Sequence, residues 1–213
     1  MILKIIGLFL AWVLRIVLFL ASIYYVYSGD IVSAITLLAS FAFTLLPVII
    51  RRVYSVDLHW IYDFIFSIFI SGHMIGFMGM YERWLLYDDI LHILGSFIVG
   101  ITGFSVFYAF DHTKRIRITA PILFLLTLMW TISVGAVWEI MEFMWDNIVF
   151  LSAGFGFAQD SLLDTMIDLS WDFIAGILAA LAMATFCKKS SERLKKQVFD
   201  PIVKLFSKKT IDI

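Results

Sequence analysis

Residues 138–176 read WEIMEFMWDNIVFLSAGFGFAQDSLLDTMIDLSWDFIAG. Glu139, Glu142 and Asp146 come first. A loop containing Gly154 and Gly156 follows, then Gln159, Asp160, Asp164, Asp168 and Asp172. Apolar sequence flanks both halves. An unpaired charge at membrane depth is costly, so this density of carboxylates marks a site and not a random scatter.

The flanking sequence decides the fold. The 213-residue chain is 62% hydrophobic and 15% charged, too apolar for a soluble domain of this size. Its apolar residues come in runs of about 20, the length of a helix that spans a bilayer core. The expected fold is all-α, a polytopic bundle of six spans over residues 1–187 with a basic tail over 188–213. The spans fall at roughly 5–27, 31–50, 58–81, 89–110, 119–145 and 161–186, and segments three to six form the functional core. Ser28-Gly29-Asp30 is a tight turn between the first two. Pro47 lies near the end of the second, and Pro121 is tolerated in the first turn of the fifth.

Six spans put both termini on one side. Lys4, Arg51, Arg52, Lys114, Arg115, Arg117 and the Lys188–Lys209 cluster share that side, and only Arg83 falls opposite. The positive-inside rule makes the shared side cytoplasmic, so the protein is expected in the inner (cytoplasmic) membrane. The first run is read as a retained helix: Arg15 interrupts it, and no small-x-small cleavage pattern precedes Gly29. A single Cys187 excludes an intrachain disulfide and a cysteine-rich zinc site. The tail repeats Leu194, Val198, Ile202, Leu205 and Phe206 between lysines, with Pro201 inside. It fits either an amphipathic helix on the anionic leaflet or a solvated tail.

This topology brings the polar residues of four segments to the outer leaflet. They are His73 in segment three, Asp89 and His92 in four, Glu139 and Glu142 in five, and Asp164, Asp168 and Asp172 in six. The helical rise places them within roughly 16 Å of the outer edge. Spacings of three and four residues put each helix's contribution on one face, which should turn away from lipid. Segments four and six share a pattern, His92 to Gly100 and Asp168 to Gly176, each with Phe-Ile between. It resembles a duplicated hairpin, with small residues that allow close packing.

Carboxylates and imidazoles on facing helices can build a metal site in a bundle core. An oxygen-rich set with one or two imidazoles suits Mn, Fe, Mg, Ca or Zn. The expected ligands of a divalent cation are His73, His92, Asp89, Glu139, Glu142 and Asp168, with Asp164 and Asp172 as base or supporting groups. The plainer alternative is a hydrogen-bonded polar core of protonated carboxyls. No Glu-x-x-His pair, glycine-rich phosphate loop or Ser-His-Asp context is present. On the cytoplasmic half, Arg15 and Asp63 are expected to form a structural ion pair, each otherwise being a lone charge in apolar sequence. Trp84, Tyr87, Trp138, Trp145 and Trp171 are expected in an interfacial aromatic belt.

Trp138-Glu139-x-x-Glu142-x-x-x-Asp146, then Asp164-Thr165-Met166-x-Asp168-x-x-x-Asp172-x-x-x-Gly176, with Asp89-x-x-His92 upstream, resembles the YjdF-like family of uncharacterised bacterial inner-membrane proteins. The resemblance covers segments three to six, and Asp-Thr-Met-x-Asp is its most specific element. It implies a polytopic helical protein of the cytoplasmic membrane and no particular activity. A fainter likeness is to VanZ-like envelope proteins, which also end in an acidic helix with a trailing glycine.

Three functions fit the residues. The first is a metal-dependent or acid–base enzyme open to the outer face, acting on a lipid or envelope precursor. The second is a cation or proton transporter using the stacked aspartates. The third is a structural or regulatory membrane protein. Membrane lipid is the expected partner, and nucleic acid is not expected.

Overall fold

The computed structural model describes residues 2–113, 116–149, 159 and 161–207. Lys114, Arg115, Gly154, Gly156, Asp160, Lys208, Lys209 and Asp212 lie outside them. The described residues are helical wherever they are regular. The helices are α1 (Ile2–Ser28), α2 (Ile31–Thr44), α3 (Leu46–Tyr54), α4 (Ile61–Ile75), α5 (Tyr81–Arg83), α6 (Tyr87–His112), α7 (Ala120–Met144), α8 (Leu162–Lys189) and α9 (Glu192–Ser207). A π-helical turn, Gly76–Met80, joins α4 to α5, and another, Trp145–Val149, ends α7. Five helical stretches are long and apolar enough to cross a membrane.

A sixth candidate is a bent pair of helices. α2 ends at Thr44 and α3 restarts at Leu46, with the two axes 42° apart. Pro47 stands in the first turn of α3, where its missing N–H costs nothing and its ring ends the preceding helix. Segment two is therefore two helices and not the single straight one expected. At its start, Asp30 caps α2: its Oδ1 accepts the Ser33 N–H at 3.0 Å.

The helices form two groups. α1, α2 and α4 pack together, as do α6, α7 and α8, and α4 meets α6 between the groups. Small residues set the second group's spacing. Gly95, Ser96, Gly100 and Gly103 of α6 and Ala175, Gly176, Ala179 and Ala180 of α8 are buried. A methyl group added at Gly100 would run into Ala179 and Thr131. With no larger side chain between them, the backbones approach closely, as membrane helices do at small-residue seams.

The tail does not trail away over residues 192–207. α9 lies against α6. Phe199, 2% exposed, stacks on Tyr108 with ring centroids 4.2 Å apart, and Ile202 is buried beside it. Pro201 is accommodated inside this helix. Glu192 accepts a 2.8 Å hydrogen bond from Lys195 Nζ on the exposed side.

Candidate metal centre

His92, on the second turn of α6, is the hub. Its Nε2 stands 3.8 Å from Asp88 Oδ1, 3.8 Å from Glu139 Oε1 on α7, and 4.0 Å from Asp168 Oδ1 on α8. Its Nδ1 stands 3.7 Å from Asp172 Oδ1. These separations are beyond hydrogen-bond length. His92, Glu139, Glu142, Asp168 and Asp172 are all 5% exposed or less. His92 Nε2, Asp88 Oδ1, Glu139 Oε1, Asp168 Oδ2 and Asp172 Oδ2 are buried with no hydrogen-bond partner among the described residues. Buried polar atoms are nearly always paired, so this many unpaired ones on neighbouring residues call for a ligand among them.

Two overlapping groups have the spacing of a coordination shell: Asp88, His92 and Asp168, and His92, Glu139 and Glu142. In each, one donor atom per residue lies within 4.8 Å of the others. Metal bonds of roughly 2.0–2.6 Å place two donors about 3–5 Å apart. A divalent cation would also relieve the repulsion among the crowded carboxylates.

The surrounding residues hold this set in place. Ser96, one turn after His92, hydrogen-bonds Asp172 Oδ1. Gly135 on α7 leaves the room in which the Asp172 carboxylate sits, since a Cβ there would collide with it. Trp138 Nε1 donates to Glu142 Oε1 at 2.8 Å, and Trp171 Nε1 donates to Asp89 Oδ1 at 2.7 Å. Gln159 bridges Thr165 Oγ1 at 2.5 Å and Glu139 Oε2 at 3.5 Å, while its backbone N–H donates to Asp146 Oδ2. The indole N–H groups of Trp138 and Trp171 are thus each engaged by a carboxylate.

His73 lies beside the donor groups, not in them. Its ring sits between Trp138, at 4.4 Å, and Phe69, at 4.6 Å, and its centroid is 6.4 Å from that of His92. Its Nδ1 is 2.7 Å from Tyr81 OH. The chain returns Tyr81 to His73 through the π turn, where Gly79 takes φ 109°, a value few other residues adopt. Together, His73, His92, Ser96, Gly135, Trp138 and Asp172 border a cavity of about 50 Å³.

The structure thus brings His92, Glu139, Glu142, Asp168 and Asp172 together, and His73 to their edge. Asp164 is half-buried on the first turn of α8, where Ser161 caps its N–H. It stands outside the two donor groups. Asp89 is drawn off by Trp171, and Asp88 takes the position expected of it. The sequence carries a signal for that exchange: Asp88 is four residues before His92, once α6 is started at Tyr87. Ser96, four residues after His92, was legible in the same way. Tyr81 had no such signal, because the π turn that returns it is not written in any periodicity.

The Arg15–Asp63 pair forms as expected and is larger. Arg15 Nη2 lies 3.0 Å from Asp63 Oδ1 and donates to Thr44 O at 2.7 Å. Arg51 Nη1 contacts the other oxygen of Asp63. Arg15 also lies over the Trp12 ring, 5.1 Å from its centroid.

A family model described as "Predicted membrane protein (DUF2238)" matches residues 10–189. The chain belongs to this family. The match takes in α1 from its third turn onward, all the later helices through α8 and every residue of the cluster. The chain is also 31% identical over 110 residues to an uncharacterised protein of Thermotoga maritima, an alignment covering 51% of this chain and 53% of that protein. It therefore spans about half the length of that curated relative. No solved structure matches.

Proposed function

We propose that this DUF2238 protein is a metal-dependent or acid–base enzyme of the bacterial cytoplasmic membrane, with its site open to the outer face and a lipid or envelope precursor as substrate. The carrying observation is His92 Nε2, buried without a hydrogen-bond partner and within 4.0 Å of carboxylates from α6, α7 and α8. In this reading His92, Asp88, Glu139, Glu142 and Asp168 hold the cation. Asp172 faces His92 Nδ1 and orients the ring, as carboxylates behind metal-bound histidines commonly do. Asp164 and the His73–Tyr81 pair stand where a proton could be taken or given. The bound cation would supply Lewis acidity. The outward orientation rests on the distribution of Lys and Arg, and the YjdF-like resemblance of Asp164-Thr165-Met166-x-Asp168 belongs to the same reading.

A cation or proton transporter is less well supported. Toward the cytoplasmic side of the cluster, α6, α7 and α8 close on one another around Gly100, Thr131 and Gly176. The buried hydroxyls there, Ser105, Thr127 and Thr131, donate to carbonyls of their own helices. A relay needs polar groups free to pass a charge onward.

The test is elemental analysis of the purified protein, joined to turnover of a bacterial lipid extract supplied in nanodiscs. Asp168→Asn and Glu139→Gln should lose most of the metal and the turnover, while Asp200→Asn on exposed α9 keeps both. Wild-type protein with no divalent metal after purification and reloading would end the metal reading. Metal with no chemical change in any lipid or precursor, but with cation flux into vesicles, would replace the enzyme by the transporter.

A further inference from the structure

A second cavity shares no lining residue with the one beside His92. It measures about 450 Å³ and lies between α3, the approach to α4, α4 itself, α6 and α9. Pro47 and Ile50 wall it on α3, Ile65 on α4, Ile98 and Ile101 on α6, and Val198 on α9. Thr102 spends its hydroxyl on Val99 O. The polar groups that remain, His59, Tyr62 and Gln197, stand on the entry to α4, on α4 and on α9. Apolar cavities of this kind do not hold water, and the volume is that of a ligand pocket. In a membrane, the abundant molecule with a matching surface is an alkyl chain.

The surroundings of the cavity are cationic. Arg51 and Arg52 close α3 directly after the lining residue Ile50. Two guanidinium groups, Arg15 and Arg51, share the single carboxylate of Asp63, which follows the lining residue Tyr62. α9 carries Arg193, Lys195, Lys196 and Lys204 against Glu192 and Asp200. Basic segments at the cytoplasmic surface attract anionic headgroups. α9 is held on α6 by Phe199 and Ile202, so Arg193, one turn before the lining residue Gln197, stays beside the cavity, while Lys195 and Lys196 border a separate pocket with Tyr108 and His112.

We infer that this cavity seats one acyl chain of an anionic phospholipid, whose headgroup is held by Arg52, His59 and Arg193. The lipid is a resident of the cytoplasmic end of the bundle, separate from whatever reacts at the carboxylates. It fills the gap where α4 and α6 diverge and joins the two helix groups.

The experiment is native mass spectrometry of the full-length protein, offered dipalmitoyl phosphatidylglycerol and dipalmitoyl phosphatidylcholine in equal amounts. Wild type should retain one phosphatidylglycerol per chain, favoured about tenfold over phosphatidylcholine, from the headgroup charge alone. Ile65→Trp, which fills the cavity, should release it. Arg52→Gln with Arg193→Gln, both exposed and outside the packed core, should keep one lipid and lose the preference for the anionic one. Equal retention by wild type and Ile65→Trp would overturn the seat. Equal retention of the two lipids by wild type would overturn the headgroup assignment. Asp168→Asn should retain lipid as wild type does, so failure of the metal site and failure of this one read out separately.

Discussion

Arg15 Nη2 lies 3.0 Å from Asp63 Oδ1, and both side chains are 1% exposed. An ion pair this deep is held by what its loss would strand. Removing one partner of a buried pair leaves an uncompensated charge and costs about 3–5 kcal/mol.

Asp63→Asn should therefore lower the thermal unfolding midpoint in detergent strongly. Arg15→Met combined with Asp63→Leu should recover most of the loss, since Arg51, 26% exposed at its side chain, can turn to solvent. A single Asp63→Asn variant that melts with wild type would show that the pair is not structural.

Asp88 and Asp89 are adjacent in the chain but are expected to differ in effect. Asp88→Asn removes an oxygen donor facing His92 and should reduce the metal content of purified protein several-fold. Asp89→Asn weakens only the Trp171 hydrogen bond, worth about 0.5–1.5 kcal/mol of stability, and should leave metal content near wild type. The reverse ranking by elemental analysis would place the wrong aspartate at the site.

Gly135→Ala tests the support of the site without touching a donor. The added methyl collides with the Asp172 carboxylate, so Asp172 must leave its place behind His92. Metal affinity, measured by competition with a fluorescent chelator, should fall about 10- to 100-fold, as it does when the group behind a ligating histidine is disturbed. Unchanged affinity would mean that Asp172 does not position His92.

Topology can be read by labelling. In a Cys187→Ser background, Leu85→Cys lies in the exposed link between α5 and α6 and should react with a membrane-impermeant maleimide in intact cells. Arg117→Cys, before α7, should react only after lysis. The opposite pattern would invert the orientation drawn from the basic residues.

The sequence by itself determined the membrane character, the order of the long apolar helices, and the faces that carry His92, Glu139, Glu142, Asp168 and Asp172. The reason is that hydrophobic run length and three- or four-residue spacing are properties of one helix about its own axis. It also paired Arg15 with Asp63, because lone charges in apolar sequence have few partners to choose from. Four features were decided only by tertiary structure. Asp88 displaces Asp89 because α6 begins two residues earlier than the polar link suggested, and helix ends are the least certain part of a sequence reading. Tyr81 reaches His73 because the π turn Gly76–Met80, with Gly79 at positive φ, bends the chain back. Arg51 joins Asp63 because the break at Leu45 redirects α3. α9 folds onto α6 because Phe199 finds Tyr108 there. Each depends on how one helix is rotated, broken or docked against another, and periodicity within a single helix carries no information about its neighbour.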